Sequence, residues 1–536
     1  MKTHILSLSI IITWLLGATS LSAQTTEVAV FSINDFHGAF VRNDYKNIAG
    51  APSIWEVLDS LKQTYPLHVT VSAGDNFGGS YFYNATGGSL LPVFFDDLGI
   101  RLSAVGNHEF DDGQSSLAAK WADTPNKPEG WDITYVCANV RDNQTGAVPA
   151  FAQPVAVHNV SLSPTKQVTI AFAGLLASST PQQASVSKLA GLSFDGRYTD
   201  VLDSLRHTPE GKILDEADIR ILLTHVGTRT NKATGLPEWE DKDSANLVSL
   251  NDCRWDGILS SHSHNHVCGR INEANFPVVQ GKWHGDYISA LICTIDTTAK
   301  PKLLSVEPKT FRVSPRETFS EGPARLQAQI DSLLSHTFTQ GGVPLGKVLT
   351  FATKDMEHDR ANKYRQSEVG ALVCQAYAEA FRKSKALETD IPIVGCSHFG
   401  SIRAGFVKGT ISVLDVGEAL PFANRLKAYK LNGKQLRELV EFGLHNQKYG
   451  WIQTGWLEIE LDAQGHVTQL FYTGPAGSKV ELTTESSCFL VADEYMTTGG
   501  DGYSPDFFPE DQVVEAEGMA TTTDAFINYL ELFKEI

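Results

Sequence analysis

Cysteine is scarce in this chain, and positive charge is in deficit. Seven cysteines, at 137, 253, 268, 293, 374, 396 and 488 of 536 residues, are too few for a disulfide scaffold. No two form a Cys-x-x-Cys pair, which argues against a thiolate zinc site, and the odd count leaves at least one thiol unpaired. Cys137 and Cys293 lie in apolar, strand-like runs and read as small core hydrophobes. Cys253 and Cys268 flank a histidine-rich segment, where a bridge between them stays open. Lys and Arg number 44 against 62 Asp and Glu, a formal charge of −18. That balance excludes a general binder of nucleic-acid polymers or anionic membranes, which needs surplus cations. A phosphate ester could approach such a protein only where positive charge is concentrated locally, and bound metal is the most direct means.

Long apolar runs are also missing beyond the first two dozen residues. Lys2, the apolar run Ile5 to Leu16 and a small-residue stretch ending at Ala23 have the three-part form of a secretory signal, predicted over residues 1–23. The run is too short for a comfortable membrane span. The expectation is an exported protein, periplasmic or extracellular, with no stable membrane insertion once the signal is removed.

What is present fits a globular enzyme of two domains. At 42% hydrophobic and 20% charged residues the chain is too apolar for disorder, and its length exceeds one compact core. From residue 27 to about 296, short β-rich runs alternate with helical or loop segments, as in strands packed under helices. The clearest runs start at Glu27, Leu67, Leu102, Val168, Ile219 and Phe276. Ile54, Val57, Leu58 and Leu61 recur at helical spacing and mark a buried helix face. Leu326, Ile330, Leu333 and Leu334 mark a second such face, in a helix that ends before Gln340-Gly341-Gly342-Val343-Pro344. This divides the chain into a first domain over 24–311, an interdomain linker helix over 312–340, and a second domain over 341–536. In the second domain the pattern predicts a helix near 366–384, strands near 391–396, 426–431, 456–461 and 488–493, and a closing helix from Asp524.

Several first-domain strands are followed at once by metal donors. The blocks are Asn34-Asp35-Phe36-His37-Gly38, Gly74-Asp75-Asn76, Gly106-Asn107-His108-Glu109, Thr224-His225 and Ser261-His262-Ser263-His264. In an open, largely parallel sheet those ends converge on one edge. One histidine at a strand end is usually a core or surface residue, and one Gly-Asp pair is usually a turn. Together they supply two Asp, one Asn amide and four His. This set suits Zn, Mn, Co or Fe better than Ca, and it exceeds what one tetrahedral ion needs. Two divalent metal ions roughly 3.5–4 Å apart, sharing a carboxylate, would use all seven donors. Glu109, His266 and His284 are near the same segments and read as supporting or surface residues.

These five blocks resemble those of the calcineurin-like metallophosphoesterases, in particular the 5′-nucleotidase family, which adds a C-terminal nucleotide-binding domain. The resemblance implies an α/β fold: a four-layer β-sandwich flanked by helices, followed by a smaller α/β domain. It implies that Asp35, His37 and His264 serve one metal, that Asn107, His225 and His262 serve the other, and that Asp75 bridges them. It further implies a catalytic pair, His108 and Asp111.

In the second domain three blocks carry the resemblance: Gly400-Ser401-Ile402-Arg403, Pro421-Phe422-Ala423-Asn424, and Tyr495 to Tyr503 with its Gly499-Gly500-Asp501-Gly502 turn. By resemblance Phe422 and Tyr495 stack on a nucleobase, Asp501 accepts from the ribose hydroxyls, Arg403 contacts ribose or phosphate, and Asn424 and Arg365 complete the substrate contacts. Taken without the other blocks, Phe422 and Tyr495 read rather as core aromatics and Gly-Gly-Asp-Gly as a plain turn. Two departures fall on this side. The family's usual Asn-Gly-Gly-Gly-Ile-Arg reads His398-Phe399-Gly400-Ser401-Ile402-Arg403, which adds bulk where a backbone normally approaches a ligand. An arginine upstream of the helix glycine Gly370 has no clean counterpart: Lys363 takes its place, with Arg360 and Arg365 nearby. The expected activity is hydrolysis of nucleoside 5′-monophosphates. Cyclic 2′,3′-diesters, nucleotide-sugar pyrophosphates and sulfur-carrier conjugates are the enzymatic alternatives, and nucleotide capture without turnover is the non-enzymatic one.

Overall fold

The computed structural model describes residues 25–115, 117, 128–240, 255–271, 275–298, 300–385, 390–477, 479–515 and 518–536. The predicted signal and Cys253 lie outside the described residues. No helix among those described is long and apolar enough to cross a membrane.

The first half is built from twelve principal strands and one long helix. The strands are β1 (Thr25–Ile33), β2 (His68–Ser72), β3 (Leu102–Ala104), β4 (Thr134–Val136), β5 (Val155–Ser163) and β6 (Lys166–Leu176), then β7 (Ile219–His225), β8 (Gly257–Leu259), β9 (His266–Ile271), β10 (Phe276–Gly281), β11 (Tyr287–Asp296) and β12 (Lys302–Arg312). Helix α1 (Ala51–Thr64) joins β1 to β2. They form two six-stranded sheets, in the orders β12-β11-β1-β2-β3-β4 and β9-β10-β8-β7-β6-β5. In the first sheet β1 to β4 run parallel and β11 and β12 add antiparallel pairs at one margin; in the second, β10, β8, β7 and β6 run parallel between antiparallel β9 and β5.

The strand sequences account for the layering. In β1, Val28 and Val30 point into a core shared with Val69, Val71, Phe172, Ile221 and Leu223 from both sheets. The alternate residues Ala29, Phe31 and Ile33 point the other way, onto Ile54, Leu58 and Leu61 of α1. Both faces of the strand are therefore apolar, as expected where a sheet is covered on each side. The second sheet is covered on its outer face by a third core containing Val201, Leu202, Leu205 and Leu214. The result is helix, sheet, sheet, helix, the four layers expected.

Helix α2 (Glu321–His336) follows. It ends four residues before the predicted stop at Gln340, where the Thr337 N–H bonds the Leu333 carbonyl. Leu326 and Ile330 pack into the core of the first half, and Leu334 touches the cores of both halves. The helix is thus docked on the first half, against α1.

The second half contains β13 (Val348–Ala352), α3 (Glu368–Lys385), β14 (Ile393–Ser397), β15 (Gly409–Ser412), α4 (Val413–Ala419), β16 (Leu426–Asn432), α5 (Gly433–Leu444), β17 (Gln453–Gly455), β18 (Leu457–Leu461), β19 (Val467–Tyr472), β20 (Ser487–Asp493) and α6 (Thr522–Leu530). Its central sheet runs β16-β20-β14-β17. Val373, Tyr377, Phe526 and Leu530 pack with Val491 and Ala428 in one core, and Leu436, Leu439 and Val440 pack with Leu490 and Leu431 in another. Asn432 opens α5 with a capping box to Gln435. Cys137, Cys268, Cys293, Cys374, Cys396 and Cys488 are free thiols, and all but Cys268 are buried.

Candidate active site

Parallel strands β1, β2, β3, β7 and β8 all deliver their C-terminal ends to one place between the two sheets. Asp35 and His37 follow β1, Asp75 follows β2, Asn107 and His108 follow β3, His225 closes β7, and His262 and His264 follow β8. Asp35, His37, Asp75, His262 and His264 all adopt positive φ, between 48° and 77°. Such backbone is costly for residues with a Cβ and clusters where side chains are forced to converge. The fit is tight enough that a Cβ on Gly106 would sit 2.2 Å from Asp75 Oδ1.

Two donor groups result. Ligand atoms of Asp35, His37, Asp75 and His264 lie within 4.8 Å of one another, as do those of Asp75, His225 and His262; Asp75 belongs to both. Asn107 Oδ1 lies 3.0 Å from His262 Nδ1. The chemistry of the set fits metal ions. His37 Nε2 and His264 Nε2 face each other at 3.2 Å, although the pair can share only one N–H. His225 Nδ1 donates to the Ala73 carbonyl at 2.9 Å, and its buried Nε2, which makes no hydrogen bond of good geometry, faces Asp75 Oδ2 at 3.1 Å. A histidine tied back through one nitrogen and without a good hydrogen bond at the other has the form of a metal ligand.

The electrostatics agree. Burial drives His37 and His262 down to about 4, whereas His225, disfavoured by burial, is raised to about 10 by the Asp75 and Asp35 carboxylates. The imidazoles thus compete to carry the charge that Asp35 and Asp75 demand, and a divalent cation supplies it without protons.

His108 sits at the edge of this cluster, its ring 4.9 Å from that of His37. Its backbone N–H bonds Asp75 Oδ1 at 2.9 Å, and its Nδ1 donates to Asp111 Oδ2 at 2.8 Å. Burial lowers its pKa, but the Asp111 hydrogen bond and the charge of Asp75 raise it to about 9.

Three supporting residues carry more of the site than the sequence suggested. Glu109 is buried and accepts N–H bonds from Asp75, Asn76 and Gly106 at 2.9, 2.7 and 2.6 Å. Asn34 Nδ2 donates to Asp35 Oδ2 at 2.7 Å. Trp283, which no pattern singled out, stacks on His264 at 4.7 Å and on His284 at 4.1 Å. His284 is itself buried, and its backbone N–H bonds the Asp35 carbonyl. His266 is exposed, bonded to Thr310 and stacked on Tyr287.

In the second half, Phe422 and Tyr495 are about half exposed, at 54% and 48%, so neither is a core aromatic. Arg403 lies over the Phe422 ring at 5.4 Å. Tyr495 Oη donates to Asp501 Oδ1 at 3.3 Å, and Asn424 Nδ2 to Asp493 Oδ1 at 3.4 Å. Arg365 is turned to Glu357 at 3.1 Å, while Arg360 is the guanidinium whose charge reaches Arg403. His398 fills the space between Asp501, 2.6 Å from its Nδ1, and Asp493.

The two-sheet sandwich and its donor set define a metallophosphoesterase, a hydrolase fold whose family implies divalent metal. Residues 29–266 match the calcineurin-like phosphoesterase family and residues 347–507 the 5′-nucleotidase C-terminal domain. The chain belongs to the 5′-nucleotidase family that joins these two parts. It is 22% identical to the trifunctional nucleotide phosphoesterase protein YfkN of Bacillus subtilis over 82% of this chain, but spans only 30% of that protein's length. It is also 22% identical to an apyrase of Aedes aegypti, over 95% of this chain and 90% of the apyrase. The solved 5′-nucleotidase precursor of Thermus thermophilus shares the fold, with TM-score 0.57, 20% identity, and coverage of 95% and 97% of the two chains.

Proposed function

We propose that the protein is an exported phosphohydrolase with two divalent ions, Zn, Mn, Co or Fe, that releases phosphate from nucleoside 5′-monophosphates. The observation that carries this reading is the sharing of Asp75 by two donor groups. Asp35, His37 and His264 would hold one ion and Asn107, His225 and His262 the other, with Asp75 between them. When bound, the ions polarise the phosphoryl oxygens and acidify a water for in-line attack.

The remaining chemistry belongs to the chain. Asp111 holds the Nδ1 proton of His108 and so fixes the ring, leaving Nε2–H to stabilise charge on the phosphoryl group or to protonate the leaving alkoxide. Glu109 fixes the backbone that carries Asp75. Phe422 and Tyr495 are half exposed and offer ring surface for a base, with Arg403 over the Phe422 ring and Asp501 beside the Tyr495 hydroxyl. The names of the phosphoesterase and apyrase relatives support a nucleotide substrate.

Phosphate release from a panel of nucleoside monophosphates, 2′,3′-cyclic nucleotides and nucleotide sugars, with and without chelator, tests the proposal. Chelator-sensitive release from the monophosphates is expected. Tight nucleoside binding with no release from any member, with Mn, Co or Zn supplied, would favour nucleotide capture instead.

A further inference from the structure

The second half carries another cluster of metal-donor side chains, on elements unconnected with the centre described above. Ligand atoms of Glu441, His445 and His466 lie within 4.8 Å of one another. Glu441 lies in α5 and His445 caps its end, one turn on, so both side chains project from the same face. His466 comes from the turn between β18 and β19. That turn is fixed by Asp462, whose Oδ1 accepts the N–H groups of Gln464 at 2.8 Å and His466 at 2.9 Å.

Each donor is held in place by a hydrogen bond. Glu441 Oε2 accepts the Val467 N–H at 2.7 Å, which holds the carboxylate against the hairpin, while Oε1 meets His466 Nδ1 at 2.5 Å. His445 Nδ1 lies 2.9 Å from the Glu441 carbonyl. The same nitrogen faces Glu441 Oε1 at 3.7 Å, so a metal ion taken there displaces the Nδ1 proton and its carbonyl contact. The two imidazoles stack at 5.2 Å with 26° between their planes. Arg437, Phe442 and Val467 help wall an open groove of about 620 Å³ over the cluster.

We propose that Glu441, His445 and His466 form a further divalent-metal site, of a two-histidine, one-carboxylate kind that suits zinc, its other positions open to water. Donors around a tetrahedral zinc with bonds near 2.0–2.1 Å stand about 3.3 Å apart, so loading opens the Glu441–His466 contact by about 0.8 Å. The competing occupant is the proton that His466 shares with Glu441, and a metal ion must displace it. Bound zinc ties the end of α5 to the β18–β19 hairpin. The next residue, Asn446, donates Nδ2–H to the Asp501 carbonyl at 3.0 Å, so this tie adjoins the loop that carries Asp501.

The test is zinc content. The untagged full chain and its His466→Ala and Glu441→Gln variants are dialysed against micromolar Zn²⁺ and measured by plasma mass spectrometry, with folding checked by circular dichroism. The centre at Asp75 contributes equally to all three chains and cancels. Wild type is expected to hold about one zinc per chain more than either variant, and zinc to raise its melting temperature more than theirs. Equal zinc content in wild type and the folded variants overturns the proposal. If one variant fails to fold, the other decides, with His445→Ala as a third.

Discussion

His398 donates from Nδ1 to Asp501 Oδ2 at 2.6 Å, occupying one oxygen of the carboxylate proposed to receive a ribose. The other oxygen already meets Tyr495 Oη. Burial raises the Asp501 pKa, but the His398 hydrogen bond and charge, the Tyr495 hydroxyl and the Arg403 charge together outweigh it and hold the carboxylate below its ordinary range. The contact therefore stabilises the charged form while withholding it from a sugar. His398→Asn, the residue usual in the family, is expected to lower KM for ribonucleotides by about tenfold with little change in kcat, since a hydrogen bond to a charged group is worth roughly 1.5–3 kcal/mol. Steady-state kinetics decide. A rise in KM would mean that His398 aims Asp501 at substrate.

The shared carboxylate offers the sharpest test of the two-ion reading. Asp75→Asn keeps the shape but removes charge from both donor groups. It is expected to lose bound metal and to lower turnover by more than the roughly 10–100-fold that a supporting residue costs. Metal analysis showing full occupancy in this variant would remove Asp75 from its bridging place.

Much of this was legible because one physical rule links sequence to place: parallel strands open their C-terminal ends on one edge. Asp35, Asp75, Asn107, His225 and His262 each follow a β-rich run, so their convergence is legible in the sequence. Trp283 was not legible as a support, and Glu109 read only as a supporting or surface residue, without its partners. Glu109 works by accepting three backbone N–H groups, which depends on how loops fold, and Trp283 acts by stacking on residues brought together from elsewhere. The same limit applies to Arg365, whose charge the sequence placed near substrate and which the structure places against Glu357.

Those three bonds make Glu109 a stability determinant as well. A glutamine there keeps one acceptor oxygen and turns an amide N–H₂ toward backbone N–H groups. Each orphaned buried donor costs about 1–3 kcal/mol, so Glu109→Gln is expected to lower the melting temperature and to weaken metal retention together. A variant that melts lower but retains metal fully would show that Glu109 supports the fold without positioning Asp75.

His108 should separate chemistry from metal binding. It touches Asp75 only through its backbone N–H, which any residue supplies. His108→Ala is therefore expected to keep its metal while turnover falls by roughly 10²–10⁴-fold, the range for general acid–base groups. Asp111→Asn should do less damage, because the imidazole remains and loses only its anchor. Metal content and kcat measured on the same preparations distinguish this from loss of metal.

Glu418 joins the two halves directly. Its carboxylate accepts the Tyr81 backbone N–H at 2.6 Å and meets Lys46 Nζ at 2.5 Å, and both partners belong to the first half. If the proposed base pocket must move relative to the metal centre during turnover, this contact must break and reform. Cysteines at both ends, Lys46→Cys and Glu418→Cys, can be bridged by a bismaleimide in a Cys268→Ser background, which removes the exposed thiol among those described. Bridging is expected to suppress turnover, whereas capping the same cysteines with a monofunctional maleimide leaves it intact. Equal turnover in bridged and capped protein would show that the two halves work in one fixed arrangement.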